Sequence, residues 1–462
     1  MALDPNSRAA PDRFPIFVFL IALSIRSTYS ALIFVTAGNA GLMGVDSIAY
    51  LANATAFAEG ISQGRVGVLQ WLGPNPNIMP LFNGLLTLCV LLTGSIAPLL
   101  FVLIQGALDS VTCVATGRLA GALDNRLFKP AAVLACLNPT QIVLAGLVYT
   151  DTLFLFFTAL FLLGAIRWMR APSWRSSALL GVALSGAALT RVLVVPWAAA
   201  MIIFLLLARM IGRDLRVRQI VQLTLAGAIL ALSMGAVALR NATQYGSWEL
   251  TAQDGIHLNL WVVPLIREAR DGTPWAKSFE EMQRRKDERF PAPDPNPFVQ
   301  SRQHREIAME ELRGLRLHDI GRAWLFGAAI NLISPAIIIS PPVQTLPRTG
   351  FFATSGNSVT EKVMNFLFRS ESRLYVRILL IGAVGVGIIR VIQLFGFLTL
   401  LRNWGIWPEL LVLGAWCGFV LLVNGPIASP KYRLPIEPVL MVAAAAGLVQ
   451  MRSWLSGCRR PK

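Results

Sequence analysis

Charge is scarce in this chain. Only 14% of its residues are Asp, Glu, Lys or Arg, against about a quarter in a water-soluble domain, which excludes an ordinary soluble enzyme. Histidine is rarer still. His257, His304 and His318 are the whole complement, and none has a partner at metal-ligand spacing. Cys89, Cys113, Cys136 and Cys417 fall inside apolar runs and Cys458 in the C-terminal tail. That scatter gives neither a disulfide framework nor a metal site and reads as apolar packing. There is no Walker loop, no HExxH, no GxSxG and no DxD pair, so chemistries that announce themselves by those motifs are unsupported. Strand-length alternation is missing, which argues against a membrane β-barrel. The sequence requires no cofactor; a divalent metal stays open.

What is abundant is grease. Apolar residues make up 55% of the chain and mean hydropathy is +0.59. Several runs approach or exceed the roughly 20 residues that cross a bilayer. Backbone groups in lipid must pair within their own segment, so the expected fold is all-α. It is a polytopic integral membrane protein with about ten full spans, two short or half-inserted helices and a mixed periplasmic loop region. The net charge of +16 sits mostly in short loops between apolar runs, the positive-inside pattern, and no nucleic-acid motif accompanies it. The first run reads as a retained anchor, because no small-residue cleavage site follows it.

The expected spans begin with residues 14–36, followed by a loop of about 40 residues. Residues 79–93 are too short: fifteen helical residues reach about 22 Å, against a core of about 30 Å. Spans follow at 95–116, 130–148 and 152–166. An apolar segment at 178–208, interrupted by Arg191 and Pro196, reads as two short spans. Another span lies at 220–239. Residues 323–340 are the second non-crossing segment, and the last spans are 374–401, 406–423 and 434–451. Three units are expected: 1–240, a transmembrane catalytic module with the first outer loop; 241–322, a hydrophilic periplasmic region; 323–462, the C-terminal transmembrane segments. The proline-rich "FPAPDPNPF" breaks helix, and "EEMQRRKDERF" reads as a solvated helix face.

Charge parity then places five features toward the side opposite the cytoplasm. In "GVDSIAYLANATAFAEG", Asp46, Tyr50, Asn53 and Phe57 fall on one helical stripe. An acid, a phenol and an amide together suit a polar ligand, although Asp46 and Gly60 also read as the caps of a short helix. Asp151 in "VYTD", beside Tyr149, stands at the mouth of a span, where capping is again the alternative. Arg191 interrupts apolar sequence, so it needs water, a partner or an anion. Lys431, Tyr432 and Arg433 in "SPKYRLPIEP" put positive charge on the outer flank, against the topology rule. Lysine and arginine suit phosphate, interfacial anchoring is their alternative, and Glu437 is placed to pair with one of them. His257 and Asn259, in "TAQDGIHLNLW", follow a span.

These stretches resemble the large membrane glycosyltransferases of the C superfamily. The similarity is to the bacterial branch related to protein O-mannosyltransferases and the lipid A aminoarabinose transferase. "GVDSIAYLANATAFAEG", "LNPTQIVLAGLVYTDTLFLFFTALFLLGAIRW", "GVALSGAALTRVLVVPW" and "SPKYRLPIEPVL" carry it, in order and in sidedness. Two positions differ from that pattern: "NPNIMPLFNG" lacks a lysine-proline-proline element, and Ala49 stands where a basic residue precedes the tyrosine. The resemblance implies a multi-pass protein of the bacterial inner membrane with a periplasmic active site. It implies transfer of a monosaccharide, with inversion, from a polyprenyl-phosphate donor to an acceptor hydroxyl on a lipid, polysaccharide or protein. Asp46 would be the general base and Asp151 a second acid. Arg191, Lys431 and Arg433 would hold the donor phosphate, and Tyr50, Asn53, Tyr149, His257, Asn259 and Tyr432 would line the substrate. Two rivals stay open: an O-antigen ligase or polymerase using a diphosphate-linked saccharide, and a lipid or solute transporter. The transporter reading calls for charges deep within spans, whereas the charges singled out here sit at outer edges.

Overall fold

The computed structural model describes residues 13–347, 354–356, 358–369 and 372–457. Cys458 and the rest of the basic tail lie outside them. The described chain is helical and without strands. The first half comprises α1 (Phe14–Ala37), α2 (Ser47–Ser62), α3 (Pro80–Thr93), α4 (Ala97–Leu123), α5 (Phe128–Cys136), α6 (Pro139–Ala145), α7 (Asp151–Arg170), α8 (Trp174–Ala188), α9 (Val194–Ile211) and α10 (Val217–Tyr245). The hydrophilic region holds α11 (Asp254–His257), which runs through a π-turn into α12 (Val263–Asp271), then α13 (Trp275–Arg289) and α14 (Pro297–Arg313). The rest is α15 (Leu317–Ile333), α16 (Pro341–Gln344), α17 (Val359–Phe368), α18 (Arg373–Leu401), α19 (Trp407–Asn424) and α20 (Glu437–Gly457).

Among the described residues, eight helical segments are long and apolar enough to cross a membrane, or nine if the bent pair α5–α6 counts as one. The chain is an integral membrane protein. The tenth expected crossing is α8, whose 15 residues reach about 22 Å. α3 and α4 do not run on as one rod. Gly94 takes φ 56° between them, a left-handed conformation that suits glycine, and Phe82 of α3 meets Phe101 of α4 at 5.2 Å, so the chain folds back. α15 stops after 17 residues at Ser334–Pro335. The 178–208 segment breaks between Ala188 and Val194, around Arg191 as expected; Pro196 is accommodated in the first turn of α9. α2 continues past Gly60 to Ser62, so Gly60 is not its cap.

Breaks in membrane helices leave carbonyls without amide partners, and buried arginines supply the missing donors. α5 and α6 meet at 49° around Leu137–Asn138. There Arg26, from the middle of α1, donates to the carbonyls of Cys136 (2.8 Å) and Ala135 (3.2 Å). Its Nε lies 2.6 Å from Asp109 Oδ2 of α4, and both side chains are fully buried. Where α15 ends, Arg433 donates to the carbonyls of Asn331 (2.9 Å) and Ser334 (2.7 Å), and Arg390 of α18 to that of Leu332 (2.9 Å). Glu437 neutralises this second cluster: Arg433 Nε lies 2.6 Å from its Oε1, and Asn138 Nδ2 donates to its Oε2 at 3.0 Å. Charges therefore do lie deep within spans, which corrects the sequence reading. Neither side chain of the Arg26–Asp109 pair has any exposed surface.

One end of α7–α10 is basic, with Arg167, Arg170, Arg209, Arg213 and Arg218 at or near helix ends. The 20-residue α7 rises about 30 Å, the thickness of a bilayer core. Asp151 begins it, and the antiparallel return through α8 brings Arg191 to the same far end. α11–α14 pack as a separate helical cluster. Arg267 joins Glu281 and Glu311 at 3.0 and 2.6 Å, and Arg285 joins Glu311 at 2.7 Å. The expected charged helix face is thus largely solvated but laced to α14. The proline-rich stretch is non-helical up to Asn296, which caps α14.

Candidate functional site

The first outer loop docks on the turn that opens α7. Val148 N–H donates to the Leu42 carbonyl at 2.9 Å. Ser47 Oγ accepts from Gly44 N–H and donates to the Val148 carbonyl, both at 2.8 Å. Gly44 is obligatory for this fit, because a Cβ there would collide with the Tyr149 hydroxyl, which itself accepts the Val45 N–H. Asp46 and Asp151 are thereby brought to one place.

Asp46 precedes α2 but makes no capping hydrogen bond. Its Oδ2 instead accepts from Lys431 Nζ at 2.8 Å, a bond between residues 385 apart in sequence. The Lys431 ammonium also stands 5.1 Å from the Tyr149 ring and 5.2 Å from the Tyr432 ring, a cation–π setting. Arg191 Nη2 lies 2.9 Å from Asp151 Oδ1, while Arg191 Nε donates to Thr150 Oγ1 at 2.9 Å and its guanidinium covers the Phe154 ring. Two acid–cation pairs thus stand side by side. Tyr50 lies within the field of all four charges; burial, reinforced by Asp46, pushes its phenol up to about 12. Burial likewise raises Tyr149. His257 arrives from the hydrophilic region. Desolvation by its surroundings lowers its imidazole pKa, the Asp46 charge opposes that shift, and Lys431 and Arg191 assist it.

The site is a recess rather than a closed cavity. Side-chain exposure is 44% for Asp46, 18% for Lys431 and Arg191, and 2% for Asp151. His257 keeps open surface although protein crowds it on its other sides. Asp46 faces the opening, and Asp151 lies at the floor.

Three named residues turn away from it. Asn53 donates to the Ala49 carbonyl at 2.7 Å and accepts from Asn75 Nδ2 at 2.9 Å, tying down the second half of the loop. Asn259 is buried against His304, 2.9 Å from its Nδ1. Arg433 is almost fully enclosed, and besides Glu437 and the α15 carbonyls it donates to Thr140 Oγ1 at 2.9 Å. Those bonds use its Nε, Nη1 and Nη2 and leave no face for a phosphate. Sequence reading passed over Thr150, whose only signal is adjacency to Asp151. It also passed over Arg240, which donates to the carbonyls of Leu72 and Gly73 at 2.7 Å and anchors the loop from α10. Among the described residues no three His, Cys, Asp or Glu side chains are placed to hold a metal ion.

No family model matches the chain, and no curated protein matches it. Among solved structures it is similar to ArnT from Cupriavidus metallidurans bound to undecaprenyl phosphate. The TM-score is 0.39 and identity 14%, over 97% of this chain and 79% of that one. It is similar also to the apo state of that protein, with a TM-score of 0.35 and 14% identity over 94% and 76%.

Proposed function

We propose that this protein is a membrane glycosyltransferase. It moves a monosaccharide from a polyprenyl-phosphate donor to an acceptor hydroxyl at the outer face of the bacterial inner membrane, inverting the anomeric carbon. The observation that carries the reading is the convergence of Asp46–Lys431 and Asp151–Arg191 in one open recess. That recess lies across the bundle from the basic helix ends, which the positive-inside rule puts in the cytoplasm.

The chemistry follows from the residue types. A sugar or lipid hydroxyl is a poor nucleophile, and a positioned carboxylate that takes its proton speeds attack by about 100- to 10,000-fold. Asp46, the more exposed acid, accepts that proton. The acceptor oxygen bonds to the anomeric carbon as the bond from that carbon to the phosphate oxygen breaks, and the electron pair leaves with the phosphate. Lys431 and Arg191 stabilise the charge gathering there. Asp151, buried and paired, holds the Arg191 fork in place. Tyr50, Tyr149, Tyr432 and His257 form the walls that meet the sugar and the acceptor. In this reading Arg433, Asn53 and Asn259 support the site from behind.

The test uses purified protein in nanodiscs, radiolabelled polyprenyl-phosphate sugars and a membrane acceptor extract. Asp46→Asn is expected to lower transfer by at least about 100-fold while the variant melts within about 1 kcal/mol of wild type, since its ion pair is partly exposed. Equal transfer by the two proteins would remove Asp46 as the base. Transfer only from diphosphate-linked donors would move the reading to a ligase or polymerase.

A further inference from the structure

The recess holds two acids and two cations, each acid on its own cation. A phosphodiester headgroup brings a negative charge, yet Lys431 and Arg191 are both already neutralised. One pair has to open to receive it. The Arg191–Asp151 pair is the worse candidate. Asp151 is 2% exposed, so an unpaired carboxylate there would be costly, and Thr150 and Phe154 fix the guanidinium further. The Asp46–Lys431 pair is the better one. Asp46 is 44% exposed and water can solvate it once released. Lys431 sits on a flexible stem, flanked by the Tyr149 and Tyr432 rings that can hold its ammonium off the carboxylate.

We propose that Lys431 is an exchange residue: in the unliganded protein it masks Asp46, and donor phosphate draws it away, freeing the carboxylate to act as base. This rests on the donor reading above. It makes the base available only when a leaving group is in place. A lone water or acceptor meets an ion-paired acid, and departure of the lipid phosphate returns Lys431 to Asp46. No covalent step is added. One hydrogen bond, Nζ–H to Oδ2, is traded for Nζ–H to a phosphate oxygen.

The experiment is a double-mutant cycle on binding, with no turnover, using a fluorescent short-chain polyprenyl phosphate and full-length protein in nanodiscs. The variants are Asp46→Asn, Lys431→Met and both, with Lys431→Gln as a substitute should Lys431→Met fail to fold. Exchange predicts that Asp46→Asn binds the probe roughly five- to tenfold tighter than wild type, and that this gain disappears in the Lys431→Met background. If Asp46→Asn tightens binding equally in both backgrounds, simple charge repulsion explains it and exchange is overturned while the donor reading stands. If Asp46→Asn does not tighten binding, exchange is likewise overturned. If wild type and variants alike fail to bind the probe, the donor reading fails and exchange falls with it. A second readout needs no lipid. Reductive methylation of Lys431, followed by mass spectrometry, is expected to be faster in Asp46→Asn than in wild type, and an unchanged rate would contradict the mask.

Discussion

The pairing of Arg26 with Asp109 makes a quantitative prediction, because Arg26 has two separable tasks. It neutralises Asp109, and at the α5–α6 break it satisfies the Cys136 carbonyl and adds a second bond to that of Ala135, which also accepts Asn138 N–H. Asp109→Leu strands a guanidinium at zero exposure and should cost about 3–5 kcal/mol. Arg26→Met strands the carboxylate and the Cys136 carbonyl together, so it should be at least as damaging. The informative variant is Arg26→Met/Asp109→Leu. With both charges gone the ion-pair cost vanishes, and such replacements are often neutral or better. The Cys136 carbonyl remains unpaired, however, at about 1–3 kcal/mol, while Ala135 keeps the Asn138 N–H. The double variant should therefore stay about 1–3 kcal/mol below wild type. The assay is thermal unfolding in detergent followed by tryptophan fluorescence, with hydrogen exchange across residues 133–145 to localise the damage. A double variant as stable as wild type, with unchanged exchange at the break, would refute the capping argument and leave Arg26 as a mere counter-ion.

Three other consequences are open to measurement. Arg191→Lys keeps the charge but cannot reach Asp151 and Thr150 together, so transfer should fall by roughly tenfold or more with little loss of stability. Arg191→Met should also lower the melting temperature, by leaving Asp151 unpaired. Gly44→Ala puts a methyl group into the Tyr149 hydroxyl, so transfer should drop while the membrane bundle melts normally; wild-type transfer would mean that the loop docks differently. The third concerns pH. His304 is buried against Asn259, with Lys286 and Asp287 as its charged neighbours, and burial lowers its imidazole pKa. Unfolded, it titrates near about 6.5. Between that value and the lower folded one only the unfolded state carries the proton. Stability of the α11–α14 cluster is therefore present above about pH 6.5 and declines as pH falls, by up to about 1.4 kcal/mol per unit. Hydrogen exchange at pH 5 and pH 8 should show this, and His304→Gln should flatten it.

Much of the architecture was legible because lipid leaves few choices. Long apolar runs become helices, and a run too short to cross, such as 79–93, folds back. The convergence of Asp46 and Asp151 was legible from sidedness alone, since both sit in turns at the same end. Along the expected stripe, Asp46 and Tyr50 come to the same recess, as helix periodicity requires. Further along it the side chains are placed elsewhere. Asn53 has the right chemistry, but Asn75 claims it, and nothing in a helical period reveals a partner in a distant loop. Asn259 and Arg433 were lost the same way, to His304 and to Glu437 with the end of α15. Residue type identifies what a side chain can bind, while its position in the packed fold decides what reaches it first.

Arg26 shows the converse error. One arginine in a 24-residue, mostly apolar helix barely lowers a hydropathy average, so α1 passed as a plain anchor. An intramembrane charge is by default a functional candidate, and on that rule Arg26 and Asp109 would have favoured a transport path. The structure gives them another purpose. Arg26, Arg390 and Arg433 each donate to carbonyls freed where a helix breaks or ends, and Arg240 does so for the first outer loop. The breaks are where the site's frame is made. The α5–α6 bend leads into the turn carrying Tyr149 and Asp151, and the end of α15 abuts the segment carrying Lys431 and Tyr432. Part of the net charge of +16 therefore belongs to backbone satisfaction rather than to topology. A buried arginine in a membrane helix is then best tested by asking which carbonyls it reaches before asking what it transports.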